Sequence, residues 1–248
     1  MKINAIIQAR MGSTRLPEKT MMKIRNKPVL WHVVNRARKS KYIENIIIAT
    51  TENHKDDIIC EFCRESGIDF FRGSENDVLD RYYQCAKEYG IDIIVRLTAD
   101  DPLNDSFVID KLIETFLELS PNIDYVGSDL NFKYPVGVGA QVFSFEALER
   151  VWNETHDDFE REHVMLYLLR NPEKFRIKGI ETGFDYSNHR WTLDYIEDFK
   201  FIEAIYQHFQ DRYFTMEELI DYLNNNPQIV QINSNHEYKF KNVSKNKV

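Results

Sequence analysis

Along the first half of the chain, short apolar runs alternate with longer segments whose apolar residues recur every three or four positions. Ile3 to Gln8 reads as a buried strand, Ala9 to Lys27 as a long polar loop, and Pro28 to Lys39 as a helix. The alternation then repeats. Ile46 to Thr50, Ile68 to Arg72 and Ile91 to Leu97 read as strands. Between and after them, His54 to Ser66, Asp77 to Tyr89 and Ser106 to Leu119 read as helices. Strands separated by helices of ten or more residues require right-handed crossovers, which builds a mainly parallel central sheet with helices on both faces. This predicts an α/β fold.

After Asp124 the pattern is mixed. Short strands are expected at Tyr125 to Gly127, Ala140 to Phe143, Phe175 to Glu181 and His189 to Leu193, with helices at Phe145 to Trp152, Phe159 to Leu169 and Ile196 to Phe209. No Pro/Ser-rich linker or internal repeat divides the chain. The expected organisation is therefore one catalytic domain over 1–210, followed by a C-terminal helix and polar tail over 211–248 that carries Lys239, Lys241, Lys245 and Lys247.

Composition narrows the class. With 43% hydrophobic and 29% charged residues among 248, the chain can bury a large core. No apolar stretch approaches the roughly 18 residues a membrane helix needs. The apolar start is too short for a secretory signal, and Cys60, Cys63 and Cys85 form no disulfide framework, so a cytoplasmic location is expected. Cys60 and Cys63 share a helix face without a second pair to complete a zinc site, and are read as packing; so are Tyr82, Tyr83 and Tyr89.

Charge changes the picture further. The net charge is −8, which disfavours nucleic acid, yet residues 1–41 hold eleven Lys or Arg against the single acid Glu18. A small anionic ligand is expected at that end.

In open α/β sheets ligands sit beyond the carboxyl ends of the strands. The loop after the first strand, Gln8-Ala9-Arg10-Met11-Gly12-Ser13-Thr14-Arg15-Leu16-Pro17-Glu18-Lys19, combines a small-residue turn with three cations, suited to a triphosphate. It has neither P-loop nor dinucleotide-fingerprint glycine spacing. The loop Arg96-Leu97-Thr98-Ala99-Asp100-Asp101-Pro102 supplies carboxylates that can hold Mg²⁺, although Asp101 could equally cap a helix. Asp194 ends another expected strand, where a simple cap completed by Glu197 is the alternative. Spacing alone does not say whether Asp194 meets Asp100.

These motifs, in this order, resemble the cytidylyltransferases that make CMP-activated acidic sugars, in particular the branch called spore-coat polysaccharide biosynthesis proteins. The resemblance covers roughly residues 1–210. It rests on Gln8 to Pro17 with Lys19, Arg72 to Arg81, Leu97 to Leu103, Glu162-His163-Val164 and Arg190 to Asp194. It implies a nucleotide-diphospho-sugar-transferase-like fold, CTP as co-substrate, Mg²⁺, a small anionic acceptor, no nucleic-acid or membrane partner, and a homodimer. By match to the family's motifs, Arg10, Ser13, Arg15 and Lys19 would bind the triphosphate and Ala9 and Thr98 would lie at the base. Asp100 and Asp194 would hold the metal, with Arg10, Arg15, Lys19 and Asp100 forming the catalytic set. Arg72, Ser74, Asp77 and Arg81, together with His163 and Arg190, are expected near the ribose or acceptor.

Three departures stand out. Glu18 replaces the family's usual Gly, Ala99 and Asp101 alter the metal loop, and Gln141 stands where an acid is frequent. The expected activity is transfer of CMP from CTP to an acidic sugar or related acceptor with release of pyrophosphate, in surface polysaccharide biosynthesis. A glycosyltransferase on the same fold and an inactive nucleotide-binding protein are the alternatives.

Overall fold

The computed structural model describes residues 1–128, 130–131, 133–210 and 212–235. The chain opens with β1 (Ile3–Gln8), then a long loop holding a 3₁₀ turn (Lys19–Met21) and a small hairpin, β2 (Lys23–Ile24) and β3 (Lys27–Pro28), before α1 (Val29–Ala37). β4 (Asn45–Thr51), α2 (Asp57–Ser66), β5 (Asp69–Gly73), α3 (Val78–Tyr89), β6 (Ile93–Thr98) and α4 (Ser106–Leu119) continue the expected alternation. The second half adds β7 (Tyr125–Gly127), β8 (Gln141–Ser144), α5 (Phe145–Glu154), α6 (Asp158–Glu162), α7 (Leu166–Arg170), β9 (Ile177–Gly179), α8 (Ile196–Phe209), α9 (Met216–Asn225) and α10 (Pro227–Val230).

Among the described residues a seven-stranded sheet runs in the order β5-β4-β1-β6-β8-β7-β9. All its pairings are parallel except the two made by β8, which runs against β6 and β7. The chain moves outward from β1 through β4 to β5, then returns to place β6 on the other side of β1. That reversal opens a crevice at the carboxyl ends of β1 and β6.

Alternate residues of the central strands supply two cores. Ile3, Ala5 and Ile7 of β1 and Val95 and Leu97 of β6 pack beneath α1, α4, α8 and α9; Ile6 and Ile94 face the opposite way, beneath α3, α5 and α7. Phe214, Leu219, Ile220 and Leu223 belong to the first of these cores. Cys60, Cys63 and Cys85 are buried free thiols, and Tyr82 and Tyr83 are buried with Tyr83 stacked on Trp152 at 4.3 Å, as packing residues should be.

Two expected elements differ. The helix read over Phe159 to Leu169 is two short helices, α6 and α7, because Val164 between them is left-handed with φ 55°. His189 to Leu193 is no sheet strand: its amides and carbonyls bond piecemeal to Val136 and to Asp100, beyond the ends of the strands. The lysines read in the polar tail, Lys239, Lys241, Lys245 and Lys247, lie outside the described residues. No described helix is long and apolar enough to cross a membrane.

Candidate active site

Both halves of the crevice are tied to the sheet by backbone bonds. Ala9 N–H donates to Ala49 O at 3.2 Å and Ala99 N–H to Gln8 O at 3.1 Å, which continues the ladders just past the strand ends. The loop after β1 is then folded on itself. Ser13 and Glu18 amides both donate to Met11 O, the Ser13 hydroxyl accepts from Leu16 N–H, and Met11 N–H donates to buried Asp56 at 2.7 Å. Thr51 also donates to Asp56. Glu18 takes a left-handed conformation, φ 61° and ψ 13°, which turns the chain so that Lys19 points into the crevice. That is the conformation for which glycine carries no steric penalty, so the departure at Glu18 has a backbone as well as a charge consequence.

Lys19 is the centre of the site. Its Nζ donates to Asp100 Oδ2 at 2.6 Å, to Leu193 O at 2.8 Å and to Asp194 Oδ1 at 3.0 Å. Arg15 joins from the same loop, donating to Asp194 Oδ1 at 2.6 Å with its guanidinium over the Tyr195 ring. Arg190 donates to Asp194 Oδ2 at 2.9 Å and also pairs with Asp198. The two aspartates that sequence spacing left unconnected therefore share one ammonium. Arg10, by contrast, is exposed and its guanidinium makes no bond among the described residues.

Asp194 is not a helix cap. Tyr195 occupies that position, and the capping carboxylate is Asp198, whose Oδ2 accepts from the Asp194 and Tyr195 amides at 2.9 Å. Asn233 donates to Asp198 Oδ1 and to Arg190 O, both at 3.0 Å. Asp198 thus takes the structural work, and the Asp194 carboxylate is left facing the cations. Asp101 likewise caps nothing: α4 is capped by Asp105, which accepts from Phe107 N–H at 2.7 Å. Thr98 donates to Asp101 Oδ2 at 2.7 Å. Gly137, at φ 94°, lets the loop after β7 press on this region, since a Cβ there would stand 2.8 Å from Thr192 N and 3.0 Å from Asp101 Oδ1.

The charges settle one another. Burial acts against the Lys19 ammonium, yet Asp100 and Asp194 outweigh it and raise its pKa above the ordinary value. Burial pushes Asp100 up, but the Lys19 charge and hydrogen bond hold it below the usual carboxylate range. Asp101, buried and beside the Asp100 charge, is pushed up instead. Asp100 and Asp194 offer two hard oxygen donors already bridged by a cation, a set that fits Mg²⁺, which takes one or two protein carboxylates and completes its shell with phosphate and water. Among the described residues no cluster of three or more metal-ligating side chains exists, so such an ion would depend on its nucleotide.

The second motif lies at the β5 edge, away from this cluster. Arg72 is spent on Thr51 O, Asn53 O and Asp57. Ser74 accepts from Asp77 N–H, and Asp77 caps α3 and pairs with Arg161 Nε at 2.7 Å. Arg81 is 2% exposed and, among the described residues, donates to Ser74 O. Arg72 and Ser74, with Glu52, Asn53, Glu75 and others, line an open cavity of about 550 Å³; Glu75 reaches back toward Gly12 of the first loop. His163 ends α6 half-buried, its ring edge-on to Phe159. Sequence reading passed over Asp56, Asp198 and Asn233. Asp198, four residues after Asp194 at a helix start, was the one with a visible signal.

The chain is similar to known proteins over most of its length. A family profile described as Cytidylyltransferase matches residues 4–234. The chain is 41% identical over 238 residues to an uncharacterized protein of Methanocaldococcus jannaschii, covering 95% of this chain and 96% of that one. It is 34% identical over 230 residues to the spore coat polysaccharide biosynthesis protein SpsF of Bacillus subtilis, covering 90% and 94%. The solved structure of a cytidylyltransferase from Leptospira borgpetersenii superposes with a TM-score of 0.91 at 36% identity, over 96% of this chain and 99% of that one.

Proposed function

The chain belongs to the cytidylyltransferase family and is a CTP-using transferase of CMP; from that premise we propose that its acceptor is an acidic sugar or a closely related acid and that its product feeds surface polysaccharide synthesis. The observation that carries the reading is the Lys19 ammonium held between Asp100 and Asp194 at the sheet's reversal point. Cations from the first loop and carboxylates from two later loops meet in the crevice, which supports a metal-bound triphosphate there.

In this reading Arg10, Arg15 and Lys19 take the phosphates, with Ser13 and the loop amides closing around them. Ala9 and Thr98 border the base. Arg10 is free to move to a ligand, and Arg15 exchanges Asp194 for a phosphate oxygen. Asp100 and Asp194 hold Mg²⁺, which when bound supplies charge neutralisation on the phosphate oxygens. An acceptor oxygen attacks the α-phosphorus in line, the bond to the bridging oxygen of pyrophosphate breaks, and pyrophosphate leaves. The three cations stabilise the charge that grows on it. Arg190 acts by fixing Asp194, and Asp77 by fixing α3 beside Arg81. Arg72, Ser74, Arg81 and His163 border the ribose and acceptor. A homodimer is proposed on the resemblance, and a cytoplasmic location on the sparse free cysteines.

The test is pyrophosphate release from CTP and Mg²⁺ with a panel of ulosonic, uronic and aldonic acids, neutral sugars and sugar phosphates. Release with one acid, absent with UTP or ATP, is expected; release only with a neutral or phosphorylated acceptor overturns the acceptor class.

A further inference from the structure

One arginine near the crevice serves neither the triphosphate cluster nor any ion pair. Arg96 lies in β6, where its neighbours in register are Ile6 of β1 and Gln141 of β8. It projects to the sheet face that Ile94 shares, the one covered by α3, α5 and α7. Its guanidinium spans three strands. One Nη donates to Gln141 Oε1 at 2.8 Å and the other to Gln8 Oε1 at 3.0 Å. A guanidinium has only donors, so both amides must turn their oxygens to it. Its Nε is buried and has no partner.

Among the described residues the hydrogen-bond acceptors of Arg96 are amide oxygens, and that of Arg81 is a backbone carbonyl, with no carboxylate in either set. Arg96 is thus a half-buried arginine held by two neutral amides and lying over the Tyr82 ring at 5.7 Å, with its Nε donor unmade and no carboxylate to balance its charge, an arrangement that leaves room for an anionic partner. Burial holds the His163 imidazole toward its neutral form against the opposing charge of Glu162, and the charges of Arg96 and Arg170 add to the effect of burial. His163 is followed by buried Val164 in a left-handed conformation, which β-branched residues adopt only under constraint. The short helices α6 and α7 are bent there over the same face.

Position along the strand decides what this group is for. Arg96 precedes Thr98, the last residue of β6, by two residues, roughly 7 Å at about 3.3 Å per residue, and Asp100 lies in the turn that follows. A ligand on Arg96 therefore lies beside the reaction centre and not within the phosphate cluster. The Nε and one Nη of a guanidinium form a planar fork that matches a carboxylate. Gln8, whose amide nitrogen has no partner among the described residues, can add a further donor.

We propose that Arg96, flanked by Gln8 and Gln141, is the residue that binds the acceptor's carboxylate and so makes this enzyme select an acid. The inference deepens the proposed function and rests on its reading of the acceptor as acidic. The carboxylate takes the free Nε and replaces the Gln8 oxygen on the adjacent Nη.

Two measurements test it, one of which needs no turnover. In the first, the Arg96 Nε–H resonance of the isotope-labelled wild-type chain, assigned by its loss in Arg96→Lys, is followed during titration with pyruvate and with neutral pyruvamide, each to tens of millimolar. A saturable downfield shift with pyruvate alone is expected; no shift, or the same shift with both, overturns the assignment. In the second, the acid that supports pyrophosphate release is compared with its methyl ester. A KM for the acid raised at least fiftyfold in both Arg96→Gln and Arg96→Lys, with KM for CTP within threefold, is expected. Unchanged KM for the acid in a folded variant overturns the role of Arg96 and leaves cytidylyl transfer to an acid standing. Preference for the ester overturns the proposal together with the acidic-acceptor reading. If no acid in the panel reacts, the resonance titration decides the role of Arg96 alone.

Discussion

Lys19 and Asp100 are 81 positions apart in the chain, yet the lysine Nζ donates to the aspartate Oδ2 at 2.6 Å and to Asp194 Oδ1 at 3.0 Å. One ammonium bridges both carboxylates proposed to take a divalent ion, with Arg15 and Arg190 adding their charges at Asp194. A metal arriving without nucleotide must compete with that ammonium. With a triphosphate present, Lys19 has a better partner and the carboxylates are released.

Replacing Lys19 should therefore have two opposite effects. Lys19→Ala removes a charge that stabilises the leaving pyrophosphate, and turnover should fall by about a hundredfold or more, by analogy with loss of a preorganised donor worth about 2.7–4 kcal/mol. Calorimetry without nucleotide should show tighter Mn²⁺ binding to the variant than to the wild type. Weaker Mn²⁺ binding would mean that Lys19 supports the metal site instead of competing with it.

Asp198 should matter to folding more than its distance from the phosphates suggests. It is fully buried and joins Arg190, Asn233 and the amides of Asp194 and Tyr195. Asp198→Asn leaves a buried guanidinium short of its counter-charge, which should cost about 3 kcal/mol in urea unfolding. A loss under about 1 kcal/mol would show that the network is not holding the segment.

Glu18 occupies backbone space suited to glycine. A left-handed non-glycine residue costs roughly 1–2 kcal/mol, part of which glycine gives back as unfolded-state entropy. Glu18→Gly should thus raise stability by about 0.5–1 kcal/mol, or roughly 2–3 °C in Tm, and should tighten CTP binding by removing an acid beside the cations. A lower Tm would show that the Glu18 side chain earns its position.

Asp124 links β7 to β9 by accepting from Arg176 N–H, Nε and Nη. Burial pushes its carboxyl up, but these bonds prevail and hold it below the ordinary value. A depressed folded-state pKa adds stability above the unfolded value near 4, and that stability is lost as the pH falls through the folded one. Asp124→Asn should cost about 1–2 kcal/mol at pH 7, and the difference between the two proteins should shrink as the pH falls through the depressed folded-state pKa of Asp124. A difference independent of pH would point to packing.

Much of this was legible in the chain. The strands β1, β4, β5 and β6 announce themselves because each is a short apolar run bounded by polar turns. The cations of the first loop stand out against an acidic remainder. What stayed hidden depends on closure in space. Asp194 and Asp198 are both aspartates at a helix start, and only the folded chain shows which one caps and which one faces Lys19. Val164 looks like an ordinary helical residue until its neighbours force it left-handed. Arg96 sits inside an apolar strand pattern, and its meaning appears only when β1 and β8 bring Gln8 and Gln141 alongside it.

The most direct test of the account is Mn²⁺ binding in the presence of CTP, read by electron paramagnetic resonance. One nucleotide-dependent ion per chain is expected in the wild type, lost in Asp100→Asn and equally in Asp194→Asn. Wild-type Mn²⁺ affinity in either folded variant would contradict the claim that these two carboxylates share the nucleotide's metal.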